Sequence, residues 1–324
     1  MISVLRPGLL TSVMDLGRPG FQRHGVVVGG ALDRFAARVA NVIVGNDEGA
    51  ALLEIAQLGP ELKFAQTTLV AWCGGGFEPR LGGELLPRDR AVRVEAGETI
   101  WFGPAKGGCR AWLAVAGGID VPLVLGSRST YRRAGFGGLG GRPLQAGDQL
   151  RLGAPSEFAQ NRLRAAARTS PWTVRPDTLV RAPSAGTVRA MPGPEWERFT
   201  PEARQIFFAT AWKVTKDADR MGVRLAGPEL KLADAREMIS EGVNEGVVQV
   251  PAGGAPIVLL ASRQTVGGYP RLAAVAAVDL GRAAQLAPGD TVRFEAIKLV
   301  EAHGLLLARE RDFARVRMGL ARLG

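Results

Sequence analysis

Apolar residues recur along most of the chain in short runs. Thr68–Trp72, Val92–Ala96, Thr99–Phe102, Ala111–Ala116, Val247–Val250, Ile257–Leu260 and Val292–Phe294 are bounded by Gly, Pro, Asp or Asn. Such runs predict strands joined by tight turns, and their close spacing favours barrels or sandwiches over strands alternating with helices. Two stretches follow a helical period instead. Asp33 can cap a helix reaching Val44, with Phe35, Val39, Val42 and Ile43 near one face, and a second helix is expected from about Leu305 to Leu323, where Phe313, Val316, Leu320 and Leu323 recur at steps of three and four. Glu310 and Asp312 interrupt the positive charge around that stripe, which points to a solvated face rather than a membrane-surface helix.

Length divides this pattern in two. The 324 residues suggest about two domains. A weak internal echo agrees: Gly59-Pro60-Glu61-Leu62 recurs as Gly227-Pro228-Glu229-Leu230, and Ala96–Phe102 is answered by Pro288–Phe294, each a Gly-acid turn feeding a strand. Short matches of this kind also arise from common turn chemistry. The expected division is a β-barrel domain over 1–154, a linker over 155–179 and a second β-barrel domain with the terminal helix over 180–324. No apolar stretch nears the ~18 residues of a spanning helix, no signal peptide is legible at the N-terminus, and only Cys73 and Cys109 occur. Together these predict a cytoplasmic protein with no membrane association.

Charge changes the picture only a little. The 41 basic and 31 acidic residues leave a net +10, which could signal a polyanionic partner. The excess is Arg, however, scattered among acidic residues, and aromatic residues at 6% do not interleave with it to form a base-stacking surface. Nucleic acid is therefore not expected as a partner. Arg–carboxylate pairing or binding of small anions accounts for the composition better.

The chemistry is narrowed by what is scarce. With His24 and His303 as the only histidines, no His/Cys zinc site can be assembled and no metal site is expected. Gly135-Phe136-Gly137-Gly138-Leu139-Gly140 matches the dinucleotide fingerprint in letters, but Pro143 leads onward into a turn and strand rather than a helix, so a Rossmann site is not expected. What remains is a Gly-rich loop that, with Ser127, Arg128, Ser129 and Thr130, could hold an anion or could simply permit tight turns. In the second half, Asp219-Arg220-Met221-Gly222, Ser240-Glu241-Gly242, Gln249-Val250-Pro251 and Arg263–Pro270 set polar side chains beside Gly and Pro. Spacing alone leaves pocket lining and hairpin scaffold equally open.

The order of these motifs carries more than any one of them. Arg6-Pro7-Gly8-Leu9-Leu10-Thr11, Asp15-Leu16-Gly17-Arg18, Gly29-Gly30-Ala31-Leu32-Asp33, Val44-Gly45-Asn46, Val115-Ala116-Gly117-Gly118-Ile119, Gly126–Tyr131 and Ala146-Gly147-Asp148 are followed by Asp219–Gly222, Ser240-Glu241-Gly242, Gln249-Val250-Pro251, Gln264-Thr265 and Gly267-Gly268-Tyr269-Pro270. The string, spread over about residues 2 to 295, resembles the biotin-dependent carboxyltransferase family, the allophanate hydrolase subunit 2-like group that includes the C subunit of bacterial 5-oxoprolinase. Departures are Met14 where the family usually has Gln, Cys73-Gly74-Gly75-Gly76 in place of Thr-Gly-Ala-Asp, and Asn244-Glu245-Gly246 before Gln249.

The resemblance implies a mainly β fold of two cyclophilin-like β-barrel domains with a few helices. It implies a subunit of an ATP-dependent complex that opens 5-oxo-L-proline to L-glutamate, active only together with an allophanate hydrolase subunit 1-like protein (the B subunit of 5-oxoprolinase) and the A subunit of 5-oxoprolinase. Two alternatives stand beside it: a carboxyltransferase subunit moving carboxylate from carboxybiotin to urea or a related amide, and a non-catalytic binding protein antagonising a histidine-kinase inhibitor. On the enzyme reading Arg220, Glu241, Gln264 and Tyr269 are catalytic candidates, with Glu241 as the base. Gln249, Thr265, Gly267 and Gly268 would face substrate, and Ser127, Arg128, Ser129 and Thr130 would form a second anion-binding surface. The chain has neither a Walker-type loop nor a biotin-acceptor Met-Lys pair, so ATP is expected at the level of the complex and biotin on a partner.

Overall fold

The computed structural model describes residues 1–174, 186–234 and 236–322. The chain forms two compact units, one built mostly from residues before Arg181 and the other mostly from residues after it; Pro19–Val28 belongs to the second, and Glu310–Gly324 to the first. The expected 155–179 linker contains the helix Glu157–Arg164, and its residues 175–179 lie outside the described residues.

The first unit encloses its core between two antiparallel sheets. One runs in the order Gln149–Leu150, Ile2–Arg6, Glu61–Phe64, Thr99–Trp101, Arg80–Leu81, Glu84–Leu85. The other runs Leu10–Met14, Leu52–Ala56, Arg110–Val115, Thr68–Gly74, Val92–Val94. Alternating residues of both, among them Ile2, Val4, Phe64, Ile100, Leu53, Trp72 and Leu113, meet in one buried cluster, as the two-residue period of half-buried strands requires. The strand Leu52–Ala56 is buried along its whole length, and its Glu54 is reconciled with burial by accepting from the Leu32 backbone N–H (2.8 Å) and the Trp112 indole (3.0 Å).

The helix Arg34–Ile43 begins as its sequence predicts: the Asp33 carboxylate accepts from the Ala36 N–H at 2.9 Å. It packs against the strands Arg110–Val115 and Thr68–Gly74. Phe35 meets Phe313 edge-on at 5.6 Å, and Arg38 lies over the Phe313 ring while pairing with Glu310 at 2.9 Å. Phe313 and Leu320 of the expected stripe are therefore buried within a helix that spans Leu299–Ala321, six residues earlier in its start than the periodicity suggests; Leu323 lies outside the described residues.

The second unit is a closed barrel of seven strands. Gly186–Pro192, Arg271–Val275, Val247–Gln249, Ile257–Leu259, Gly222–Ala226, Ala211–Val214 and Thr291–Ala296 follow one another around it, and a parallel pairing of the last with the first closes the ring. Closure leaves no unpaired edge. Phe207 of the helix Pro201–Ala209 stacks on Phe294 at 4.4 Å, and Trp212 donates to the Phe207 carbonyl, which anchors that helix to the barrel. A two-stranded ribbon, Glu241–Gly242 with Val266–Gly267, stands apart from the barrel strands.

The fold is thus mainly β with few helices. Of the internal echoes, Gly97 and Gly289 both adopt positive φ, 89° and 93°, and both deliver the chain into a strand. The other pair diverges: Glu61–Phe64 is a strand, whereas Glu229 and Leu230 lie in an irregular segment. Many arginines meet carboxylates, as at Arg142–Asp148 and Arg189–Asp279 (2.8 and 2.6 Å). Among the described residues no helix is long and apolar enough to cross a membrane.

Candidate functional site

Each unit gathers its own set of the polar residues singled out in the sequence, and the two sets differ in what their hydrogen-bonding groups are doing.

In the first unit the centre is Asp15, at the end of the strand Leu10–Met14. One carboxylate oxygen accepts from the Ser127 hydroxyl (2.7 Å), the Ser129 hydroxyl (2.5 Å) and the Gly17 N–H (2.7 Å), while the other accepts from the Arg128 N–H (2.5 Å). The Ser129 hydroxyl also accepts from the Asp15 N–H, and Thr130 donates to the Val13 carbonyl. Asp15, Ser127, Ser129 and Thr130 are all buried. Four donors around one buried carboxylate stabilise its charge, with no ion-pair partner among the described residues. Three of the four expected anion-binding residues therefore have hydroxyls already engaged with the protein. Arg128 differs: its Nε donates to the Val121 carbonyl at 2.9 Å, and its Nη1 and Nη2 have no partner among the described residues.

Arg18 lies beneath this loop with 1% of its surface exposed, donates to the Ser129 carbonyl at 2.5 Å and sits over the Phe136 ring at 5.0 Å. Desolvation lowers its affinity for the proton, with Asp15 opposing that effect. The Gly135–Gly140 segment forms bridged turns, Tyr131 with Phe136 and Leu139 with Arg142, and no helix follows it.

In the second unit most of the expected residues, Glu241 and Gln264 to Tyr269, lie on or next to the two-stranded ribbon. The Gln264 amide donates to the Gln249 side-chain oxygen at 3.0 Å, and the Gln249 amide donates to the Tyr269 carbonyl at 3.2 Å. Gln249 is buried, whereas Tyr269 is 49% exposed. A Cβ on Gly267 would stand 2.7 Å from Gln249 Nε2, so glycine there is what lets the ribbon approach the glutamine pair. Thr265 uses its carbonyl to accept from the Val243 N–H, and Gly268 passes close to Ser240.

Glu241, at the start of the ribbon, is exposed and pairs with Arg271 at 2.8 Å. Arg271 in turn forms a two-pronged contact with Glu195, at 2.7 and 2.6 Å. Burial works against the Glu195 charge, but the hydrogen bonds from Arg271 prevail and hold its carboxyl below the usual range; those same bonds raise Arg271. Arg220 is joined to this region through its carbonyl, which accepts from the Ser262 N–H, and it is not among the hydrogen-bond partners of Gln249 and Gln264. Sequence patterning singles out neither Arg271 nor Glu195. A signal exists for Arg271, which follows Gly267-Gly268-Tyr269-Pro270 directly, but nothing in sequence spacing connects it to Glu195, 76 residues away.

His24 is exposed and accepts from its neighbour Arg23, and His303 is exposed on the terminal helix. Cys73 and Met14, both departures from the family pattern, are buried, and burial pushes the Cys73 thiol up, away from thiolate chemistry.

The chain resembles known proteins along most of its length. The model of the carboxyltransferase domain, subdomain A and B, matches residues 24–296. The chain is 38% identical to the C subunit of 5-oxoprolinase from Escherichia coli over 93% of each chain. It is 33% identical to urea amidolyase of Saccharomyces cerevisiae over 90% of this chain and 16% of that one. The crystal structure of K. lactis urea amidolyase superimposes with a TM-score of 0.87 at 32% identity, covering 96% of this chain and 19% of that one. The chain thus spans nearly the whole of the Escherichia coli relative and about a fifth or less of the two urea amidolyases, and with the family model matching most of its length it belongs to the carboxyltransferase domain, subdomain A and B, family.

Proposed function

We propose that the chain is a component of an ATP-dependent 5-oxoprolinase complex that converts 5-oxo-L-proline to L-glutamate. The observation that carries this reading is the match to the C subunits of 5-oxoprolinase, at 38% identity in Escherichia coli and 35% in Haemophilus influenzae, each over 93% of both chains. The urea amidolyases hold their equivalent segment inside far longer chains. Partners resembling the A and B subunits of 5-oxoprolinase would complete the complex.

The glutamine pair fits the substrate class. A lactam presents one carbonyl acceptor and one N–H donor side by side, and a primary amide has both complements. Gln249 orients Gln264, Gly267 keeps the approach open, and an amide N–H directed at the lactam oxygen would stabilise charge developing there. A lactam carbonyl is a poor electrophile, which is why coupling to ATP is part of the reading; ATP itself would be handled by the complex. Glu241 remains the candidate base, Tyr269, half-exposed, lies two residues beyond Gly267, the ribbon partner of Glu241, and Arg220 is joined at the neighbouring turn.

The alternative, carboxyl transfer from biotin to urea or a related amide, is favoured by the likeness to urea amidolyase. A ureido group has the same paired donor and acceptor pattern as a lactam, so Gln249 and Gln264 suit it as well. Biotin, delivered by a partner, would supply the carboxyl group.

The test is to purify the chain with co-expressed candidate A and B subunits and to measure ATP-dependent glutamate formation from 5-oxo-L-proline. Activity in the complex that falls about 10²-fold in Gln264→Ala, at unchanged assembly, is the expected result. Full activity in that variant overturns the site; no glutamate from an intact complex, with carboxyl transfer to urea instead, replaces the reaction.

A further inference from the structure

The first unit contains a cavity of about 400 Å³ whose lining includes Arg128 and none of the residues of the Gln249–Gln264 ribbon, within the size range of small-molecule sites. Its wall is mostly glycine and alanine, and its charged lining consists of Arg128, Asp47 and Asp120. From these residues we infer a binding site for a small zwitterion of the α-amino acid class, independent of the proposed reaction.

The wall is built to stay open. Asn46 donates to the Val115 carbonyl (2.8 Å) and to the Asn41 side chain (3.1 Å) and accepts from the Gly117 N–H (2.8 Å), so its polar atoms fasten three segments together. A Cβ on Gly45 would lie 2.6 Å from the Phe158 ring and 2.7 Å from the Ser156 hydroxyl. Main chain also passes main chain here: a Cβ on Gly117 would fall 2.2 Å from the Gly153 carbonyl oxygen, so this part of the slot is lined by backbone.

Into that slot the sequence places opposite charges with unused capacity. Arg128 is fixed at both ends, through its backbone N–H to Asp15 and through Nε to the Val121 carbonyl, so the guanidinium is preorganised while Nη1 and Nη2 remain free of partners among the described residues. Two parallel N–H groups held in this way match the two oxygens of a carboxylate. The Asp47 carboxylate likewise has no hydrogen-bond or ion-pair partner among the described residues, and Asp120 is shared only with exposed Arg151 at 3.9 Å. A phosphate or dicarboxylate without an amine would face two acidic side chains, and a simple amine would face Arg128. A ligand with one carboxylate and one ammonium group satisfies both ends.

The experiment uses the full chain. Melting-temperature shifts and calorimetric titration with the twenty standard L-α-amino acids are run beside propionate and propylamine, which carry one charge each. At least one amino acid is expected to bind at least tenfold more tightly than either control. Arg128→Ala and, separately, Asp47→Asn should each weaken that binding at least tenfold, with Arg128→Lys intermediate because it keeps the charge and loses the fork. Asp47 is exposed, and its carboxylate has no partner among the described residues, so Asp47→Asn remains informative if Arg128→Ala is poorly folded. Absence of binding by all twenty, equal binding of propionate, or unchanged affinity in Asp47→Asn overturns the proposal.

Discussion

The Asp15 loop and the Gln249–Gln264 ribbon look alike in sequence: each sets hydroxyl, amide or guanidinium groups beside glycines. They differ in how much of their hydrogen-bonding capacity the protein itself consumes. Around Asp15, two serine hydroxyls and two backbone N–H groups converge on a buried carboxylate, and Thr130 is tied to Val13. Around Gln249, the amides form a short chain that ends at a backbone carbonyl beside a half-exposed tyrosine. A cluster that satisfies itself in the interior holds the fold together, whereas one that is oriented but not saturated can receive a ligand.

This contrast can be broken most forcefully at Asp15. Asp15→Ala leaves four donors without their acceptor and should cost about 3–5 kcal/mol of stability, read by chemical denaturation; a loss under about 1 kcal/mol would remove the distinction between the regions. Gln264→Ala should do the opposite. Its stability is expected to stay within about 1 kcal/mol of wild type while the activity of the assembled complex drops about 10²-fold, and a variant that instead unfolds with its activity per folded molecule intact would place the ribbon among structural elements.

A third test separates the ribbon's support from its surface. Arg271→Gln removes the partner of partly buried Glu195 and should cost about 2 kcal/mol at pH 7. Because the Glu195 carboxyl is held below its ordinary value of 4.5 in the folded protein, the stabilisation is present above that value and is lost as pH falls through the folded-state value. The gap between wild type and Arg271→Gln should therefore narrow below about pH 4; a gap that widens in acid would mean that Arg271 acts through something other than Glu195. The smallest expected effect is at Thr130→Val, about 1 kcal/mol of stability for one buried hydroxyl bond and no change in turnover.

Much of the fold is legible in the sequence. The strand expected at Thr68–Trp72 is observed at Thr68–Gly74, that at Ala111–Ala116 at Arg110–Val115, and that at Val292–Phe294 at Thr291–Ala296, because apolar runs bounded by turn residues report local backbone preference directly. The Asp33 cap is legible for the same reason: donor and acceptor lie three residues apart. The terminal helix starts at Leu299 rather than near Leu305 because its first turns carry few stripe residues, although Ala302 is buried there. Ser127, Ser129 and Thr130 look ligand-facing in the sequence because a hydroxyl beside glycine reads the same whether it points inward or outward. The acceptor that decides the matter for the two serines, Asp15, is more than 110 residues away.

By itself, then, the sequence determined the mainly β composition, the helix cap and, through the order of its motifs, the family, since each of these depends on neighbours along the chain or on a string of residues read in order. Tertiary structure decided which polar groups are consumed and which remain available: Asp15 against Ser127, Arg271 against Glu195, and Arg128 facing a cavity with Asp47. Those pairings depend on strands and loops distant in sequence being brought within hydrogen-bond reach or into one wall, and no local preference encodes that distance.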